Sequence, residues 1–98
     1  MDKITTTIKR EWLAKIANRT KHVEYREIKP YWVRRLSQVK TPFLLWLING
    51  MDSKAPEITV IVTKIRRNSR SRLFELVLGK IVGVRHWSVK TGRPTRTR

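Results

Sequence analysis

Lys21, His22, Glu24 and Arg26 set an ammonium, an imidazole, a carboxylate and a guanidinium into one short run. In an extended strand His22, Glu24 and Arg26 share one face, and Val23 and Tyr25 take the other. Adjacent titratable groups on one face require water, a ligand or matched partners, so the run predicts one wall of a polar cleft. Two chemistries are open to it. Lys21 with Glu24 could polarise a carbonyl and move a proton, given burial that brings both groups towards neutrality. Alternatively, Glu24 pairs with Arg26 or Lys21, and the wall binds without reacting.

The run continues into Lys29, Pro30, Tyr31, Trp32, Arg34 and Arg35. Aromatic rings interleaved with guanidinium groups suit an unstacked base or single-stranded RNA. The same residues could instead close the mouth of a barrel, because Trp is usually buried. Trp12 and Trp46 are expected in the core. His22 is expected on the surface, and His86, next to Trp87, as a barrel plug.

Basic residues recur in two further places. Arg66, Arg67, Arg70 and Arg72 predict a basic loop over 66–72, and Lys90, Arg93, Arg96 and Arg98 a basic tail. The chain carries 23 Lys and Arg against 7 Asp and Glu, a formal charge of +16. Self-repulsion on that scale favours a polyanionic partner, and a nucleic acid rewards it through counterion release. Arg outnumbers Lys, which favours bidentate phosphate contact. No basic amphipathic helix of useful length argues for a membrane surface. Cysteine is absent and there are 2 His, so neither disulfide nor metal site is expected, nor any cofactor.

These groups need a scaffold. Ile4 to Ile8 alternates as a strand. Lys9 to Ala17 carries Trp12, Leu13, Ile16 and Ala17 at helical spacing, and Pro30 opens a second short helix through Leu36. Phe43 to Ile48 reads as a strand buried on both faces. Asn49-Gly50 signals a turn, and Ile58 to Ile65 a strand. Leu73 to Leu78 follows, broken by Gly79-Lys80, with Ile81 to Arg85 closing the fold. One domain over residues 1–87 and a flexible tail over 88–98 are expected. No apolar run approaches the ~20 residues of a spanning helix. The fold class is therefore α+β, mainly β: a small barrel with one or two short helices at its mouth.

Ile8-Lys9-Arg10-Glu11-Trp12-Leu13, then Lys21-x-Val23-Glu24-x-Arg26, together with Asn49-Gly50 and Leu78-Gly79-Lys80-Ile81, resemble the ASCH (activating-signal cointegrator homology) family over about Ile4 to Trp87. The resemblance implies a PUA-like barrel with a nucleotide-sized cleft beside the first helix. Where that family has Gly before the Lys, this chain has Asn18, Arg19 and Thr20, and Asn18 is expected to take the left-handed conformation. In members that hydrolyse acetylated cytidine, the residues matching Lys21 and Glu24 are catalytic, with Thr in place of Glu24 and a third Glu that this chain replaces with its basic loop. The expectation is thus a cytoplasmic RNA-binding module, RNA before DNA. Lys21, Glu24 and Arg26 would form its cleft and hold a nucleotide or base edge. Lys29, Tyr31, Trp32, Arg34 and Arg35 would meet unstacked RNA, and the basic loop and tail would neutralise phosphates. The alternative is a small hydrolase of a modified nucleoside or of RNA, using Lys21 and Glu24.

Overall fold

The computed structural model describes residues 1–95. Its elements run β1 (Lys3–Thr7), α1 (Arg10–Ala17), β2 (Val23–Glu27), α2 (Pro30–Ser37), β3 (Phe43–Ile48), β4 (Glu57–Asn68), β5 (Leu73–Arg85), β6 (Trp87–Ser88) and β7 (Arg93–Pro94). Five strands form one sheet in the order β1-β3-β4-β5-β2, with β1 parallel to β3 and the other pairs antiparallel. The fold is mainly β, a curled half-barrel with two short helices.

The long β4–β5 hairpin makes the curl. Its proximal half pairs with β3, from Ile48↔Glu57 to Phe43↔Val62, and its distal half with β2, from Val23↔Val77 to Glu27↔Leu73. Register shifts between Thr59 and Lys64 bend the ladder where the partners change. Gly79 belongs to this bend: a Cβ there would meet Thr63 Cγ2 at 2.8 Å. It permits close strand contact and does not end the strand, so β5 runs unbroken to Arg85. Arg66 and Arg67 likewise belong to β4, which shortens the expected basic loop to a turn over residues 69–72.

The strand pattern sets the core. Phe43, Leu45, Leu47, Ile58, Val60, Val62 and Leu76 are fully buried on the concave face. Leu13, Ile16 and Ala17 of α1 and Trp32 and Leu36 of α2 complete the cluster. Phe43 to Ile48 is buried completely on one face and partly on the other, because α-helices cover only the concave side.

Three expectations need correction. The α1 C-terminus puts Arg19, not Asn18, in the left-handed region, at φ 66°. Arg19 N–H donates to Ile16 O and Thr20 N–H to Lys15 O, the two bonds of a Schellman ending. The Asn18 side chain instead accepts from Thr20 N–H and Oγ1. His86 is half-buried at φ 57° and stands outside the core cluster; Trp87 is the buried member of that pair. Finally, the segment from Ser88 is not unstructured through Thr95. β6 and β7 form a small ladder, and Thr95 N–H donates to His86 O. Pro94 and Gly92 lie with Trp87 beside Arg10 and Ala14 of α1.

Candidate nucleic-acid interface

Glu24 lies opposite Leu76, and Arg26 opposite Phe74, across the β2–β5 ladder. That register turns both charged side chains to the concave side, where α1 and α2 leave the half-barrel open. Glu24 is 5% exposed, the one buried charged residue among those described. Arg26 Nε and Nη2 both donate to Glu24 Oε2, at 3.0 and 2.7 Å. Arg26 Nη2 also donates to Thr7 O at 2.9 Å. One guanidinium thus ties the β2 edge to the end of β1, two edges that share no ladder among the described residues. It lies over Trp32, 5.1 Å from the ring centroid.

Around this pair opens a cleft of about 610 Å³, lined by Thr7, Ile8, Lys9, Trp12, Glu24, Tyr25, Arg26, Glu27, Lys29, Trp32 and Asn49. Trp12 is 37% and Tyr25 49% exposed. The expectation of a core Trp12 fails because Leu13, Ile16 and Ala17 fill the buried face of a helix only eight residues long. Trp12, one step of about 100° from Leu13, faces the cleft instead. Trp46 is half-buried on the outer face, its ring N–H donating to Glu57 Oε1 at 2.7 Å.

Lys21 stands behind the cleft wall. Its Nζ is 3.5 Å from Glu24 Oε1 and 5.0 Å from the centroids of both Trp12 and Tyr25. Its side chain lines a neighbouring hollow of about 330 Å³ with Lys15, Thr20 and His22. Both Glu24 oxygens therefore face a cation, so the two pairings open to Glu24 from sequence coexist. His22 is exposed.

The remaining expected residues fall into separate places. Lys29 lines the cleft and pairs with Glu27 at 2.9 Å. Tyr31 is 56% exposed, meets Trp32 edge to face at 5.5 Å, and accepts from Arg35 Nη1 at 2.6 Å. Arg34 is exposed on α2. Arg66 pairs with Glu75 at 3.2 Å and Arg67 lies over Phe74. Arg70 and Arg72 are exposed in the turn, without a carboxylate partner among the described residues. Arg72 O accepts from Ile28 N–H at 3.0 Å, which brings this turn against Lys29 and α2. Lys90 and Arg93 are exposed on the β6–β7 hairpin, and Arg93 faces α1 across a groove. Arg96 and Arg98 lie outside the described residues.

Sequence reasoning missed Thr7, Lys9 and Asn49. Asn49 Nδ2 donates to Ile8 O at 2.8 Å and its Oδ1 accepts from Arg10 Nε at 2.9 Å, fixing the β1–α1 junction at the cleft rim. Its turn signal with Gly50 was legible; its side-chain role depends on a partner far along the chain. Among the described residues no three His, Asp or Glu side chains gather as metal ligands do, and no helix is long and apolar enough to cross a membrane. Comparison of the chain with protein-family models, curated proteins and solved structures returned no match.

Proposed function

We propose that this protein binds RNA through the Arg26 cleft, with the neighbouring α2 and β4–β5 turn holding the phosphate backbone. The observation that carries this reading is the cleft lining: the exposed rings of Trp12 and Tyr25 beside Lys9 and Lys29, with Arg26 holding the wall. Bases stack on such rings irrespective of sequence, and Arg and Lys neutralise the adjoining phosphates. A splayed single strand offers both parts, a duplex only the phosphates. The cytoplasm is the compartment this reading suggests.

Binding is favoured over hydrolysis by Glu24. A general base needs an acceptor within reach of the substrate proton, and here Arg26 occupies one carboxylate oxygen and Lys21 faces the other. Lys21 in turn lines the hollow behind the wall. A hydrolase built on these two residues has to break the ion pairs first.

The test is fluorescence anisotropy of labelled single-stranded RNA, single-stranded DNA and duplexes across a salt series, with acetylated cytidine hydrolysis measured in parallel. Single-stranded RNA should bind tightest and weaken steeply with salt. Absence of binding at low salt would reject the proposal, and turnover of the nucleoside would replace it with the hydrolase reading.

A further inference from the structure

The outer face of the sheet carries a second hollow, which shares no lining residue with the cleft. The ladders align Thr5, Trp46, Thr59 and Gly83 in one row across β1, β3, β4 and β5. Side chains in such a row normally touch their neighbours. Gly83 contributes none, and a hollow of about 200 Å³ opens there, lined by Lys3, Trp46, Glu57, Thr59, Gly83 and Arg85.

Crowding does not require this glycine. A Cβ at Gly83 would meet Thr59 Cβ at an ordinary 3.7 Å, and its φ is outside the left-handed region. Glycine leaves no side chain to pack on this face, and Gly83 lies beside the register shift between Thr59 and Val60, so the bulged strand and the open surface coincide. The groups around the hollow indicate what fits it. The Trp46 ring is held by its N–H bond to Glu57 Oε1, leaving a fixed flat wall. Glu57 Oε2 has no protein hydrogen-bond partner among the described residues and stays open to solvent on a side chain that is 13% exposed. Lys3 Nζ lies 4.6 Å from the Trp46 centroid, and Arg85 Nη1 4.0 Å from Glu57.

We infer that this hollow is a nucleotide site: a base lies against Trp46 over Gly83, and its phosphate meets Lys3 and Arg85. Glu57 Oε2 accepts an N–H from the base: an exocyclic amino group of guanine, adenine or cytosine, or the N3–H of uracil. Lys3 and Arg85 are exposed and long, so both can swing to a phosphate as the ring enters.

The site is testable by NMR on the intact protein, using the indole N–H resonance of Trp46, identified by its disappearance in Trp46→Phe. GMP, AMP, CMP and UMP should each shift it saturably, and ribose 5-phosphate not at all. Gly83→Val fills the hollow with a strand-favouring side chain; it should melt no lower than the parent and lose the shift. The Lys3→Ala, Arg85→Ala double variant should weaken the response at least threefold, and it decides the matter if Gly83→Val fails to fold. No shift with any nucleotide, an equal shift with ribose 5-phosphate, or an undiminished response in the folded variants would each overturn the inference. Lys29→Ala, in the cleft, should leave the Trp46 response intact. If RNA binding fails while this response persists, the cleft reading falls and the outer site stands.

Discussion

Arg26 and Glu24, two residues apart on one strand, meet on the inside of a half-barrel, where Nε and Nη2 of the arginine converge on a single carboxylate oxygen. Desolvation makes such a pair expensive to form and more expensive to break. Arg26→Leu leaves the Glu24 carboxylate with Lys21 alone and releases the β1 edge. It should cost about 3 kcal/mol in urea denaturation. Arg26→Leu with Glu24→Leu should cost clearly less than the sum of the single changes, and strict additivity in the cycle would show the pair to be uncoupled.

Glu24→Gln tests the chemistry of the same pair. If the cleft binds without reacting, RNA affinity should hold or rise, since a negative charge leaves the site. A hydrolase would lose roughly 10²-fold or more in turnover. Assaying both quantities on one preparation, alongside Lys21→Met, separates a binding wall from a reacting one.

Two tryptophans should respond in opposite ways. Trp87 is 6% exposed and closes the core under the terminal hairpin; Trp87→Ala should cost about 3 kcal/mol of stability. Trp12 is 37% exposed at the cleft. Trp12→Ala should lower stability by only about 1 kcal/mol and weaken RNA binding by about 1–3 kcal/mol, the loss of one stacked base. Thermal melts and anisotropy on both variants give the comparison, and equal effects would remove Trp12 from the interface.

The basic turn makes a prediction about salt. Replacing Arg70 and Arg72 with Gln should weaken binding for all sequences alike. The slope of log affinity against log salt should flatten by about 0.7 for each single-strand phosphate that is no longer neutralised. An unchanged slope would leave the turn as solvated surface. Arg66, already paired with Glu75, should contribute less than either.

Arg72 also sits at φ 59°, and Arg19 at φ 66°, a region costly for any residue with a Cβ. Glycine at either position should raise stability by about 1 kcal/mol in denaturant titration. Arg72→Gly should do so while losing RNA affinity, which would identify its side chain as the reason the strain is kept. A gain in stability without any loss of affinity would refute that reason.

The alternation of Ile4 to Ile8, the apolar run from Phe43 and the Pro30 helix start were legible because each depends on neighbours a few residues away. The polar wall of Glu24 and Arg26 was legible for the same reason. What sequence concealed was long-range. Gly79 looks like a strand breaker until Thr63 is seen packed against it. Arg66 and Arg67 read as loop because their partners, Glu75 and Phe74, lie across a hairpin. Trp12 reads as core by spacing, and only the opening between the helices shows where it points. The residues from Ser88 read as tail because two short strands carry almost no apolar pattern of their own.

The pairing of β2 with β5 has a consequence for synthesis. Over half the chain lies between Val23 and its ladder partner Val77. A nascent chain therefore carries Lys21, Glu24 and Arg26 long before it carries the strand that orients them. Pairing at that separation is slow to form, and until β5 has left the ribosome the cleft has no floor. The basic segments emerge with their charge but not their geometry, so the cleft takes its shape only when the last strand of the main sheet is in place.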